Sequence, residues 1–99
     1  MEIRDKVIVI TGGASGIGRA MARRFTSEGA KQIVLADLNV DGLEAVAQEV
    51  GAQAIPCNVS FETDVKHLIK TTEKDYGKID LLCSNAGIGV GGGPESPNS

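Results

Sequence analysis

Apolar positions along the chain come in two kinds, short continuous runs and sets spaced three or four apart, and the two kinds alternate. Val7-Ile8-Val9-Ile10 is an unbroken β-branched run that stops at Thr11-Gly12-Gly13, which predicts a strand buried on both faces and ended by glycine. From Ile17 to Glu28, the residues Ile17, Ala20, Met21 and Phe25 recur at helical spacing, and Gly29 stands where a chain leaves a helix. Ile33-Val34-Leu35-Ala36 predicts a second buried strand, and Leu43, Val46, Ala47 and Val50 mark the inner face of a second helix closed by Gly51. A third cycle begins with Ala54-Ile55 and Cys57. It continues in a helix opened by Ser60, with Glu62 and Asp64 in the first turn and Val65, Leu68 and Ile69 facing inward. Lys78 to Ser84 supplies a fourth strand.

Strand-helix alternation with short loops calls for parallel strands, and right-handed crossovers lay the helices against the sheet. The expected fold is α/β, a doubly wound (Rossmann) three-layer sandwich with a truncated parallel sheet of four strands in the order 3-2-1-4. The first two helices then cover one face and the third covers the other, and ligand is expected in the crevice between strands 1 and 4. Residues 1–88 form this half-domain, and residues 89–99, rich in Gly, Pro and Ser without apolar periodicity, read as a flexible tail.

Composition narrows the function classes. A chain of 99 residues builds one core, which leaves no room for a separate substrate lobe. The formal charge of −3 gives no electrostatic ground for nucleic acid or an anionic membrane as partner. Arg19, Arg23 and Arg24 are the nearest thing to a basic cluster, and at helical spacing they read as a solvated face. Cys57 and Cys83 lack the spacing of a metal site or a disulfide framework, so a reducing, cytoplasmic setting is expected. The apolar stretch after the N-terminus is too short for a signal-peptide core or a membrane span.

The chemistry sits in Thr11-Gly12-Gly13-Ala14-Ser15-Gly16-Ile17-Gly18, between the first strand and the first helix, where free N–H groups and the helix dipole favour a pyrophosphate. Gly12 permits a sharp turn, Gly16 lets the backbone approach the phosphates, and Gly18 lets helix and strand pack closely. Asp37 ends the second strand nineteen positions after Gly18, where a carboxylate accepts hydrogen bonds from the adenosine ribose hydroxyls. The alternative for Asp37 is a cap on the helix starting near Asp41, and the two roles are compatible. Its charge repels a ribose 2′-phosphate. Ser15 and Leu38, which line the same expected site, supply no cation to offset that, so NAD is favoured over NADP.

With Thr-Gly-x-x-x-Gly-x-Gly at 11–18, Asp37, Asn58-Val59 and Asn85-Ala86-Gly87, the chain resembles the short-chain dehydrogenase/reductase family over almost its whole length. The resemblance implies that Asn58 and Val59 contact the adenine ring, that Asn85, Ala86 and Gly87 line the ribose and steady the sheet, and that Ile17 donates its N–H to the pyrophosphate. There are two departures. The family usually has Asp at the position of Asn58, although an amide oxygen also accepts from the adenine amino group. It often has Asn at the position of Ser84.

Family members are ordinarily more than twice this long, and their proton transfer depends on a Tyr followed four residues later by a Lys, with a Ser upstream. The only tyrosine is Tyr76, followed at that distance by Asp80, an acid where the family carries a base, so Tyr76 reads as a helix-end core residue. His67, mid-helix beside Lys66, reads as a solvated surface position. No catalytic residue and no metal ligand is expected in this chain. The expectation is an N-terminal fragment or truncated product: the cofactor-binding part of an NAD-dependent oxidoreductase acting on a small-molecule alcohol or ketone, homo-oligomeric when intact. The alternative is a stand-alone dinucleotide-binding or regulatory module. The two differ in whether the encoding DNA continues in frame into Ser and Tyr-x-x-x-Lys.

Overall fold

A computed structural model describes residues 2–85. Strand β1 (Val7–Thr11) feeds helix α1 (Gly16–Ser27), followed by β2 (Gln32–Asp37), α2 (Val40–Val50), β3 (Gln53–Pro56), α3 (Glu62–Tyr76) and β4 (Leu81–Ser84). All pairings are parallel and the strand order is β3-β2-β1-β4, the order expected. Thr11 lies beside both Ala36 and Ser84, so β1, β2 and β4 end level with one another and present their carboxyl ends together.

The period-two pleat divides the core into two layers. Ile8, Ile10, Ile33 and Leu35 face Ala22, Leu43, Val46 and Ala47 from α1 and α2. Val9, Val34 and Ala36 face the other way, with Ile55, Cys57 and Leu68, and α3 covers that side. Fully burying one such aliphatic side chain contributes about 1.5–3 kcal/mol, so these two clusters carry the fold. Tyr76 joins the second layer half-buried, its hydroxyl donating to Gln53 Oε1 and tying the end of α3 to β3. Gly29 and Gly51 take positive φ just beyond α1 and α2, where a left-handed residue closes a helix.

The inward face of α1 is Gly18, Met21, Ala22 and Phe25; of the residues whose spacing marked the helix, Ile17 is 60% exposed and Ala20 is exposed as well. Both sets have helical spacing; the one with the smallest residues wins because it brings the helix axis closest to the sheet. Two expectations are corrected. Ser60 does not open α3. Asn58 makes a tight turn in which its Oδ1 accepts from Ser60 N (2.9 Å) and its carbonyl accepts from Phe61 N (3.0 Å), so the cap falls to Phe61, which offers no side-chain hydrogen bond. Strand β4 starts at Leu81 instead of Lys78, because the Asp80 carboxylate takes Val7 N (2.9 Å) while Asp80 N donates to Val7 O (2.9 Å).

The arginine cluster is solvated as expected, but it also reaches across to α2. Arg19 makes two bonds to the Glu49 carboxylate (2.8 and 2.9 Å), Arg23 stands 3.7 Å from the same group, and Arg24 pairs with Glu28. The Arg19 hydrogen bonds hold the Glu49 carboxyl below its ordinary range. Ala86, Gly87 and the expected tail over 89–99 lie outside the described residues.

Two stability outcomes follow. Leu43→Ala, at a fully buried site, lowers unfolding free energy in urea by about 2–5 kcal/mol, whereas Leu82→Ala, on a half-exposed β4 position, costs less than about 1 kcal/mol. Phe61→Asp, which supplies the missing cap at a 59% exposed position, raises stability by about 0.5–1 kcal/mol.

Candidate functional site

Four of the six backbone N–H groups from Gly13 to Gly18 find an acceptor within the chain. Gly12 takes a φ of 70°, the sharp turn that its position demanded. Gly13 N donates to Ala36 O (3.0 Å), Ala14 N to Asp37 Oδ2 (2.9 Å), and Ser15 N to Gly12 O (3.0 Å). Ser15 caps α1: its Oγ accepts from Gly18 N (3.0 Å) and donates to Gly12 O (2.7 Å), and its carbonyl accepts from Arg19 N (2.9 Å). From Gly13 to Gly18, Gly16 N and Ile17 N are the two amides that find no acceptor among the described residues. They are the first two amides of α1, the groups an anion at a helix N-terminus meets.

Space and charge agree with those two amides. A Cβ built on Gly16 would meet nothing within 4 Å, so the approach is open. A Cβ on Gly18 would lie 2.3 Å from Gly12 O and 2.9 Å from Gly13 Cα, so the helix rests directly on the loop and only glycine fits. The first turns of α2 and α3 carry Asp41 and Glu62 with Asp64, but α1 has no acid in its first turn. The positive end of its dipole meets no acid in the helix's own first turn.

Asp37 lies at the end of β2 beside this loop. One carboxylate oxygen takes Ala14 N and the other takes Asn39 N (3.0 Å). It does not cap α2; Asn39 does, accepting from Gly42 N (3.1 Å). Leu38, next along, is 66% exposed. Asn58 follows β3 at the same edge of the sheet, with its own N–H on Asp64 Oδ2 (2.9 Å) and one lone pair of Oδ1 used by Ser60 N. Val59 is half-buried against the α3 layer. Asn85 prolongs the β4 line: its N–H donates to Thr11 O (3.3 Å) and its side-chain amide to Met21 Sδ (3.2 Å). The loop, Asp37, Asn58 and Asn85 thus all follow strand carboxyl ends, where ligands bind in sheets of this kind.

Ala14 and Gly13 escaped notice in the sequence, although a Cβ on Gly13 would meet Leu35 Cβ at 2.8 Å. Doubled glycine after the strand is the signal that could have revealed it. Phe61, large, apolar and 59% exposed one turn from Asn58, was also missed, since nothing in an apolar pattern separates it from core. His67 is exposed and meets only Thr71, as expected for a surface position. Burial pushes both thiols up, with the Asp64 charge adding to the effect at Cys57, so neither is an activated nucleophile. Among the described residues no group of three potential metal ligands is present, and no helix is long and apolar enough to cross a membrane.

Comparison with known proteins points to one group. The profile of the short chain dehydrogenase family matches residues 6–98. Tropinone reductase-like 1 from Erythroxylum coca is 46% identical over 94 residues, covering 93% of this chain and 34% of that protein. Short-chain dehydrogenase reductase 5 from Arabidopsis thaliana is 44% identical over 90 residues, 88% of this chain and 34% of its own length. A crystal structure of 3-ketoacyl-(acyl-carrier-protein) reductase from Brucella melitensis complexed with NADH superposes with a TM-score of 0.76 at 39% identity, over 81% of this chain and 34% of that one. The chain therefore spans about a third of the length of the relatives it matches.

The two inner glycines of the loop separate in a stability measurement. Gly18→Ala forces α1 off Gly12 and costs about 1–3 kcal/mol in thermal or urea unfolding, the range of overpacking. Gly16→Ala meets open space and leaves stability within about 1 kcal/mol of the parent chain.

Proposed function

The chain belongs to the short-chain dehydrogenase family, and on that premise we propose that it forms the cofactor-binding part of an NAD-dependent oxidoreductase acting on an alcohol or ketone. The observation that carries this reading is the pair of free amides, Gly16 N and Ile17 N, at a helix end with no acid in its own first turn and with the Asp37 carboxylate beside the loop. Two N–H donors without acceptors and an open approach over Gly16 fit a diphosphate. In this reading the nicotinamide dinucleotide, when bound, supplies the hydride acceptor or donor.

The chain's own residues bind and orient. Gly16 and Ile17 hold the diphosphate, Ser15 fixes the helix end that presents them, and Gly12 and Gly18 set the loop against α1. Asp37 accepts from the adenosine ribose through lone pairs left free by Ala14 N and Asn39 N. Leu38, Asn58 and Val59 flank the adenine, with the second lone pair of Asn58 Oδ1 available to its amino group. Asn85 lines the ribose on the β4 side. This reading assigns no proton-transfer group among the described residues. Tyr76 is committed to Gln53 and Asp80 to Val7, so neither serves that role.

NAD is the cofactor of this reading because of charge. Each unit of negative charge about 4 Å from Asp37 costs roughly 1–4 kcal/mol between bulk water and the dielectric of a protein surface. Neighbouring Leu38 and Ser15 supply no cation against it. In an amide NMR titration of the 99-residue chain, NADH is expected to shift Gly16 and Ile17 and to bind at least about fivefold more tightly than NADPH. Equal or tighter binding of NADPH refutes the assignment of NAD. Shifts confined to residues away from the loop refute the site.

A further inference from the structure

Ala14 sits two residues before the free amides, and its N–H has one acceptor, Asp37 Oδ2 at 2.9 Å. The preceding amide, Gly13 N, donates to Ala36 O at 3.0 Å. Two consecutive loop amides are therefore clasped by two consecutive residues at the end of β2, one through a carbonyl and one through a side chain. The second carboxylate oxygen takes Asn39 N at 3.0 Å, which fixes the rotamer of Asp37 from the far side. Asn39 is itself the cap of α2. The start of α2 also presses on the loop: a Cβ on Gly42 would lie 3.2 Å from Ala14 Cβ.

We propose that Asp37 is a positioning residue for the phosphate-binding loop, acting through Ala14 N, in addition to meeting the ribose. This rests on the cofactor reading above. A side chain that only met the ribose would need no partner in the loop. This one spends an oxygen on the amide that decides the path of the chain into α1. Without it Ala14 N has no acceptor among the described residues, and the segment that presents Gly16 N and Ile17 N is held from β2 by Gly13 alone. A carboxylate bonded to backbone N–H is among the stronger hydrogen bonds available to the chain, which suits it to a task of geometry.

Inorganic pyrophosphate tests this, because it reaches the loop amides and contains no ribose. Removing a negative charge near an anion tightens binding by electrostatics alone, whereas losing the loop's geometry weakens it, so the two effects have opposite signs. The full 99-residue chain and its Asp37→Ala and Asp37→Asn variants are titrated with pyrophosphate and with NADH, following amide shifts. Asp37→Ala is expected to weaken pyrophosphate about threefold or more, and Asp37→Asn, which keeps one oxygen for two donors, by less. Hydrogen exchange at Ala14 accelerates about tenfold in Asp37→Ala while Gly13, bonded to Ala36 O, keeps its protection; a merely structural defect would release both. Should Asp37→Ala fail to fold, Asp37→Asn decides by the same two measurements. Unchanged or tighter pyrophosphate binding in a folded variant, with NADH weakened, overturns the positioning role and leaves the cofactor reading standing. Failure of the unsubstituted chain to bind either ligand overturns the cofactor reading, and the positioning role falls with it.

Discussion

The contact between Gly18 and the loop that precedes it governs the geometry of everything above the sheet. The helix can start where it does only because residue 18 has no side chain to strike Gly12 O, 2.3 Å from where a Cβ would stand. That approach lowers the axis of α1 onto β1 and β2, buries Ala22, and brings Met21 and Phe25 against the layer built on Ile8, Ile10 and Leu35. It also puts the first turn of the helix level with the carboxyl ends of the strands. Packing and binding geometry are thus set by the same atom pair, so a change there acts on both.

The pattern of the chain made the architecture legible because both periods are strong where they occur. Val7 to Ile10 and Ile33 to Ala36 are buried throughout, and buried parallel strands leave little room for another reading. Doubly wound sheets commonly run in the order 3-2-1-4, and with that order right-handed crossovers decide which face each helix covers. The full inner face of α1 is less legible from apolar spacing, which passes over small residues: Gly18 has its place from the glycine motif, while Ala22 is set only by packing. The start of α3 was hidden for a related reason. Ser60 looks like a cap, but Asn58 had already claimed its N–H in a turn that no propensity scale weighs against a helix start.

For the candidate site, spacing located the loop and Asp37 but did not show how they are joined. Strand registry brings residue 37 beside the loop, and the bond from Ala14 N is visible only once that registry is known. Sequence distance conceals it, since the two residues are 23 apart. The β4 side is the least defined part of the cleft. β4 pairs with β1 alone among the described residues, and Leu82 stands 48% exposed on it. A strand with one neighbour keeps unpaired backbone groups along its outer edge.

A binding loop of backbone amides faces a problem of selection. Every N–H in it is a donor of similar strength, and a loop that left them all free would be unstable in isolation and indifferent to the shape of its ligand. Here the surplus is removed in order. Ala36 and Asp37 take the amides of Gly13 and Ala14, Gly12 and Ser15 take those of Ser15, Gly18 and Arg19, and those of Gly16 and Ile17 at the tip of the helix are left. A site for an anion is therefore made less by adding donors than by satisfying the neighbours of the two that remain. The side chains that do so, Ser15 and Asp37, shape the phosphate cradle without needing to touch a phosphate.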